Sequence, residues 1–410
     1  MIYATHAAKS IEIAAIVEPH EGRRKEAVEK LNVSEDKVFT NVDDFFSQGK
    51  LSDALIISSM DLDHYEQTMK ALDLGYDILL EKPISPSPEE CLAIQEKANK
   101  LGRKVIVCHV LRYTTFFAEI KKIIDSNELG KVINIQHNEN IGNYHMAHSF
   151  VRGNWGKKEL SSPIIMQKSC HDMDILAWLV DSETKRIASY GDLTYFKEEN
   201  APEGSAERCL DCKVADSCRF DVRKMYLPIR GNWPAAAVSV DQSEEGLLEA
   251  LSHNQYGRCV YRAGNDVCDH QVSIIEFKNG VKVTFNLSAF TNKMNRTIKI
   301  MCEHGEIRGD DSLNIIEVTK FISNSEQQYE QRVIHPQTVV GGHNGGDTGL
   351  MNDFLANITN SEASDSRSSI NQSVESHIMA YAAEHARVTG KIIDIDQLKA
   401  ELLESIHSKA

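Results

Sequence analysis

The sequence predicts an α/β chain in two domains. A Rossmann-like parallel-sheet domain lacking its expected first strand comes first, and an α+β domain with a large, mainly antiparallel sheet follows. Three observations predict this. The chain has 410 residues, more than one hydrophobic core ordinarily serves. Short apolar runs alternate with amphipathic helical stretches as far as residue 110, the rhythm of βαβ units. Beyond residue 113 that rhythm gives way to apolar–polar alternation and an Asn279-Gly280 pair between two apolar segments, the signature of a tight antiparallel hairpin.

In order along the first domain, residues 11–17, 54–57, 78–80 and 105–107 read as short buried strands, and 21–31, 63–74 and 87–101 as the helices between them. Ser87-Pro88-Glu89-Glu90 supplies an N-cap, a proline at the first helical position and a capping-box glutamate. Gly75 and Gly102 fall where helices stop. In the second domain a helix at 115–127 leads to a strand at 132–140, and 163–180 reads as helical. The hairpin joins 272–277 to 281–287, strands at 296–302 and 313–318 extend the sheet, and helices at 348–360 and 370–389 follow. The domains therefore divide at 1–112 and 113–410, with a polar, strand-poor insertion at about 197–262.

Composition excludes several functions. Charged residues at 26% and hydrophobic residues at 41% describe a water-soluble globular chain. A formal charge of −15 argues against nucleic-acid and anionic-membrane partners. No apolar run is long enough to span a bilayer, and no signal-like N-terminus is present. Nine scattered cysteines suit a reducing cytoplasm better than a disulfide framework. Cys209, Cys212 and Cys218 have the spacing of part of a zinc site. Structural metal, free thiols and disulfides all remain open for them.

The chemistry concentrates at strand ends. Glu81-Lys82-Pro83 follows the strand at 78–80 directly, and in open α/β sheets ligands bind at the carboxyl ends of strands. Glu18 ends the strand at 11–17, a position suited to holding an adenosine ribose and favouring NAD, although Arg23 and Arg24 beside it keep NADP open. A glycine-rich turn should precede that strand, yet residues 1–7 already read as the helix that should follow the turn. The expectation is thus an N-terminally truncated cofactor domain. The stretch from Gly341 to Asp347 is glycine-rich but follows no cofactor-type strand, so it reads as a lid or the lead-in to a helix.

Taken together, the chain resembles the Gfo/Idh/MocA oxidoreductases, the glucose-fructose oxidoreductase and inositol dehydrogenase group. The matching residues are Glu81-Lys82-Pro83, the loop from Ser58 to His64, and His171-Asp172-Met173-Asp174 at the start of an apolar helix. The resemblance spans essentially the whole chain. It implies a cleft between the two domains holding a nicotinamide cofactor and a sugar or polyol. Carried over by position, Lys82 and His171 are the catalytic pair, and Asp174 binds substrate or orients the site. Glu18, Ser58, Asp61, His64, Glu81 and Pro83 border the cofactor. Gln167 stands where many family dehydrogenases carry an aspartate, which leaves the proton relay to Lys82 and His171.

Arg112 reads equally as a fork onto substrate oxygens or as a partner across the domain junction. Arg152 and Trp155, with His145 and His148, form a polar and aromatic cluster able to grip a sugar or to sit in a surface loop. Lys168 is a further substrate candidate on a different helix face from His171. The function expected is hydride transfer between NAD(P) and a sugar, sugar acid or cyclitol hydroxyl, in a homodimer or homotetramer built through a free sheet face. Two alternatives stay open: a redox-neutral, NAD-dependent glycoside hydrolase, and a non-catalytic sugar-binding protein.

Overall fold

The apolar runs of the first domain are too short to be helices, and those at 78–80 and 105–107 are buried throughout, as strands inside a parallel sheet are. In the computed structural model, which describes residues 10–323, 327–339, 342–359 and 366–409, they fall into two sheets. β1 (Ile16–Val17) pairs in parallel with β2 (Val38–Phe39), and β3 (Ala54–Ile57), β4 (Asp77–Leu80) and β5 (Val105–Val107) form a separate parallel sheet. Only the last two residues of the expected strand at 11–17 pair, because residues 11–15 have no ladder partner among the described residues. The anticipated helix at 1–7 lies outside the described residues.

Helix punctuation matches the reading. Ser87 accepts a hydrogen bond from the Glu90 N–H at the start of the helix Pro88–Leu101, and Gly102 closes it at φ 61.

The second domain is a nine-stranded mixed sheet. β6 (Val132–Asn140), β7 (Thr184–Asp192), β8 (His270–Phe277) and β9 (Lys282–Ser288) are followed by β10 (Asn295–Cys302), β11 (Gly305–Asp310) and β12 (Ile315–Phe321). β13 (Tyr329–Ile334) and β14 (Ile393–Asp394) complete it, in the order β13-β12-β11-β10-β6-β9-β8-β7-β14. All pairs are antiparallel except β6–β9. The Asn279-Gly280 hairpin forms as expected, Gly280 at φ 93 and the Phe277 N–H reaching Val281 O at 2.9 Å.

The helical stretch at 163–180 breaks after Gln167 into α1 (Ile164–Gln167) and α2 (Cys170–Val180). One sheet face is covered by α2 and by α4 (Ile370–Thr389), whose Ala380, Ala382, Ala383 and Ala386 are fully buried and allow close approach. The intervening helix α3 (Gly346–Thr359) turns back onto the first domain. Its Leu350, Met351 and Phe354 pack with Leu79 and Ile106 of the parallel sheet. The tail from 346 therefore packs on both domains, and a division at 113 alone misses this. Residues 342–345 form the turn leading into α3, and a Cβ at Gly346 would stand 2.5 Å from Val110 O.

Candidate active site

Leu80 is buried, so β4 delivers Glu81 and Lys82 straight to the carboxyl edge of the sheet. The loop is held from three directions. The Glu81 N–H donates to Ile57 O at 2.9 Å, His64 Nδ1 lies 2.7 Å from Pro83 O, and the Ile84 N–H donates to His377 Nε2 at 2.9 Å. The Lys82–Pro83 peptide is cis. Lys82 Nζ crosses to the other domain and donates to Gln167 O at 3.1 Å, the carbonyl at the break between α1 and α2.

His171, at the first turn of α2, stands four residues beyond that carbonyl. Burial first, then the charges of Lys82 and His109, hold its pKa well below the ordinary imidazole range. Its Nδ1 has no hydrogen-bond partner. A neutral imidazole with a vacant nitrogen is equipped to accept a proton. His109 leaves the end of β5 as Lys82 leaves β4, and its ring centroid lies 5.7 Å from that of His171 and 5.5 Å from that of His377. Burial, then Arg112 and Lys82, also keeps His109 neutral.

Two buried carboxylates flank His171 and fix its helix. On a helix with 100° per residue, Asp172 and Asp174 lie on either side of the histidine. Asp172 accepts from Arg296 Nε at 2.8 Å and lies 2.8 Å from His137 Nε2. Burial would raise its pKa, but Arg296 and His137 overcome that and bring it down to about 2. Asp174 takes a two-pronged contact from Arg112, Nε to Oδ2 at 2.6 Å and Nη2 to Oδ1 at 2.7 Å. Burial pushes the Asp174 carboxyl up while the guanidinium opposes it.

Most of the expected substrate contacts have partners within the protein. Arg112 pairs with Asp174 and donates to Arg367 O, a contact that crosses the junction between the two domains. Arg152 is buried in the insertion, donating to Phe220 O and Arg258 O, because its guanidinium caps carbonyls that no strand partner satisfies. Lys168 pairs with buried Glu139 at 3.4 Å, and Arg296 Nη2 reaches Glu139 at 2.6 Å. Gln167 contributes its backbone oxygen to Lys82, with its side chain buried. Trp155 Nε1 donates to Asp61 at 3.4 Å, and Ser162 donates to the same carboxylate at 3.1 Å. Asp61 thereby ties the β3 loop to the second domain.

The cofactor side has a coherent donor set. Glu18, Ser58, Lys82 and His109 all follow the carboxyl ends of parallel strands, where doubly wound sheets bind nucleotides. Glu18 accepts the His20 N–H on one carboxylate oxygen, at 2.8 Å. Arg24 is tied to the Glu18 and Pro19 carbonyls at 2.7 and 3.0 Å. A carboxylate for ribose hydroxyls and neutral imidazoles beside a lysine fit a nicotinamide dinucleotide. His109, His377 and Arg296 had no assigned role in the sequence reading. His109 alone had a signal, its place at a strand end beside Lys82.

Comparison with known proteins places the chain in a family. Residues 1–109 match the model "Oxidoreductase family, NAD-binding Rossmann fold" and residues 121–392 the model "Oxidoreductase family, C-terminal alpha/beta domain", both of Gfo/Idh/MocA. YteT of Bacillus subtilis, provisionally named an oxidoreductase, is 23% identical over 314 residues, 74% of this chain and 72% of that protein. An inositol 2-dehydrogenase of Corynebacterium glutamicum is 27% identical over 176 residues, covering 43% of this chain and about half, 48%, of the enzyme. An oxidoreductase from Agrobacterium radiobacter, solved with NAD+, L-tartaric acid and magnesium, shares the fold at TM-score 0.67 and 13% identity, over 97% of this chain and 96% of that one. A Klebsiella pneumoniae NAD-binding oxidoreductase superposes at TM-score 0.69 with 12% identity, over 96% and 93%. With both of its domains matched, the chain belongs to the Gfo/Idh/MocA oxidoreductase family.

Proposed function

We propose that the chain oxidises a secondary alcohol of a sugar, sugar acid or cyclitol, with NAD as the preferred hydride acceptor. The observation that carries this is Lys82, from the first domain, donating to Gln167 O at 3.1 Å in the second, close enough for its charge to help keep His171 neutral with Nδ1 unpartnered. The bound nicotinamide supplies the redox chemistry by accepting a hydride. The chain's own groups handle the proton. Lys82 Nζ donates to the substrate hydroxyl oxygen and steadies the charge that develops there. His171 takes the hydroxyl proton as the carbinol C–H bond breaks. The Asp172 and Asp174 anchors hold the imidazole in place, so little reorganisation accompanies the step. Four residues before the histidine, Gln167 offers an amide that cannot take the proton.

The inositol dehydrogenase relative supports a polyol substrate, and the Agrobacterium structure with L-tartaric acid supports a hydroxy-acid one. The test is the absorbance of reduced nicotinamide on mixing protein with NAD or NADP and a panel of cyclitols, aldoses and aldonic acids. Turnover of at least one polyol with NAD is expected. Silence across the panel, with cofactor binding intact, would reject the assignment.

A further inference from the structure

Four of the nine cysteines fall in the insertion, at 209, 212, 218 and 259, and the fold brings all four to one place. Cys209, Cys212, Cys218 and Cys259 line a single cavity of about 10 Å³, beside Ser205 and Tyr261. Local turns bring the first three together. The Cys212 N–H donates to Cys209 O at 3.2 Å, and the Cys218 N–H to Val214 O at 3.1 Å. The fourth comes from a distant segment, strapped on by an antiparallel bridge between Arg208 and Arg258 and by the Cys259 N–H to Glu207 O at 2.8 Å. All nine cysteines are free thiols.

A second observation concerns charge. Arg152, nearly fully buried, donates to Cys209 Sγ at 3.2 Å, Met225 Sδ at 3.0 Å and two backbone carbonyls. Among the described residues it forms no ion pair, and Asp221 on the cavity wall is held by Arg223 at 2.7 Å. A buried guanidinium without a counter-anion is costly. Four thiolates around a divalent ion carry a net negative charge, which would place that anion beside Arg152.

We propose that Cys209, Cys212, Cys218 and Cys259 form a structural zinc site that staples the insertion. Two-residue spacing between the first ligands and four sulfur donors suit tetrahedral zinc, with no open position for catalysis. A cavity of about 10 Å³ has room for about one water-sized sphere, hence for an ion but not an iron–sulfur cluster. Among the described residues no three His, Cys, Asp or Glu side chains already stand as a metal-holding group. The thiols surround the cavity separately, so zinc would have to gather the four sulfurs onto itself as they release four protons to solvent. Such a staple would fix the segment bearing His145, His148 and Trp233, whose rings pack edge to face at 5.0 and 5.7 Å.

Elemental analysis of the full chain, purified without chelator, should find about one zinc per chain. Cobalt exchanged into the site should show thiolate-to-cobalt charge-transfer absorption. Cys259→Ser should lose the metal, while Cys268→Ser, outside the cavity, should keep it. Should the serine variant fail to fold, titrating the wild type with a thiol-specific mercurial decides: zinc release should track modification of these four cysteines in peptide mapping. Metal-free protein, iron with labile sulfide, disulfides among the four, or zinc retained in Cys259→Ser would each overturn the site.

Discussion

In the proposed reaction Lys82 and His171 divide one task, and their surroundings suit each to its part. Lys82 is held by a backbone carbonyl rather than a carboxylate, so a substrate oxygen can compete for its protons. His171 is kept neutral by burial and by the Lys82 charge, and so stays a proton acceptor at neutral pH. Lys82→Met should lower kcat by about 10²–10⁴-fold while leaving NAD affinity, measured by calorimetry, within a few-fold. Arg112 and Asp174 work at one remove. Asp174→Asn leaves a buried guanidinium unbalanced, and equilibrium urea unfolding should show a loss of about 3–5 kcal/mol. Lys82 was legible because a buried strand ends on it, and His171 because a family motif surrounds it. The partners of Arg112 and Arg152 were not legible. Arg112 meets Asp174 62 positions along the chain and Arg152 meets Arg258 106 positions along, and no local pattern encodes such distances.

Among elements, α4 holds the Glu81-Lys82-Pro83 loop to the rest of the molecule through His377. Its Nδ1–H donates to Ser373 O at 2.9 Å, which leaves Nε2 free to accept the Ile84 N–H. Burial, then the neighbouring His109, pushes its pKa down to about 3, and burial, then Arg152, brings His148 to about 4. An unfolded histidine titrates near about 6.5, so between pH 6.5 and those values the unfolded chain binds more protons. Stability is therefore fully present above about pH 6.5 and falls as pH drops toward 3, by up to about 1.4 kcal/mol per pH unit per histidine. Urea midpoints measured across pH 4–7 should show this slope, and His377→Gln should flatten it whatever its effect at pH 7. The elements themselves were largely readable where periodicity was strong, as in the hairpin at Asn279-Gly280. β7, with polar residues at Lys185, Arg186 and Ser189, and β13, with most side chains exposed, lack that periodicity. Their pairing comes from neighbours in the sheet, not from their own sequence.

Over the whole molecule, one face of the nine-stranded sheet packs on helices while the other stays bare. Tyr190 faces Val272 across β7 and β8, with Ile274 further along, and all three side chains are exposed. We propose that a second copy of the chain covers these exposed apolar side chains, as the expected homo-oligomer would require. Ile274→Glu should shift the sedimentation coefficient of the assembly to that of the monomer without changing the far-UV spectrum. The candidate site, too, belongs to the whole molecule, since Lys82 and His171 come from different domains and Asp61, Arg112 and Ile84 stitch those domains together. The most direct test is a double-mutant cycle on the turned-over polyol, comparing kcat for Lys82→Met, His171→Gln and the pair, with NAD binding monitored throughout. If the two side chains act as one relay, each single variant should lose at least about 10²-fold and the double variant little more than the worse of them. Losses that simply multiply, or a wild-type rate in either single variant, would contradict the two residues acting together on one substrate hydroxyl.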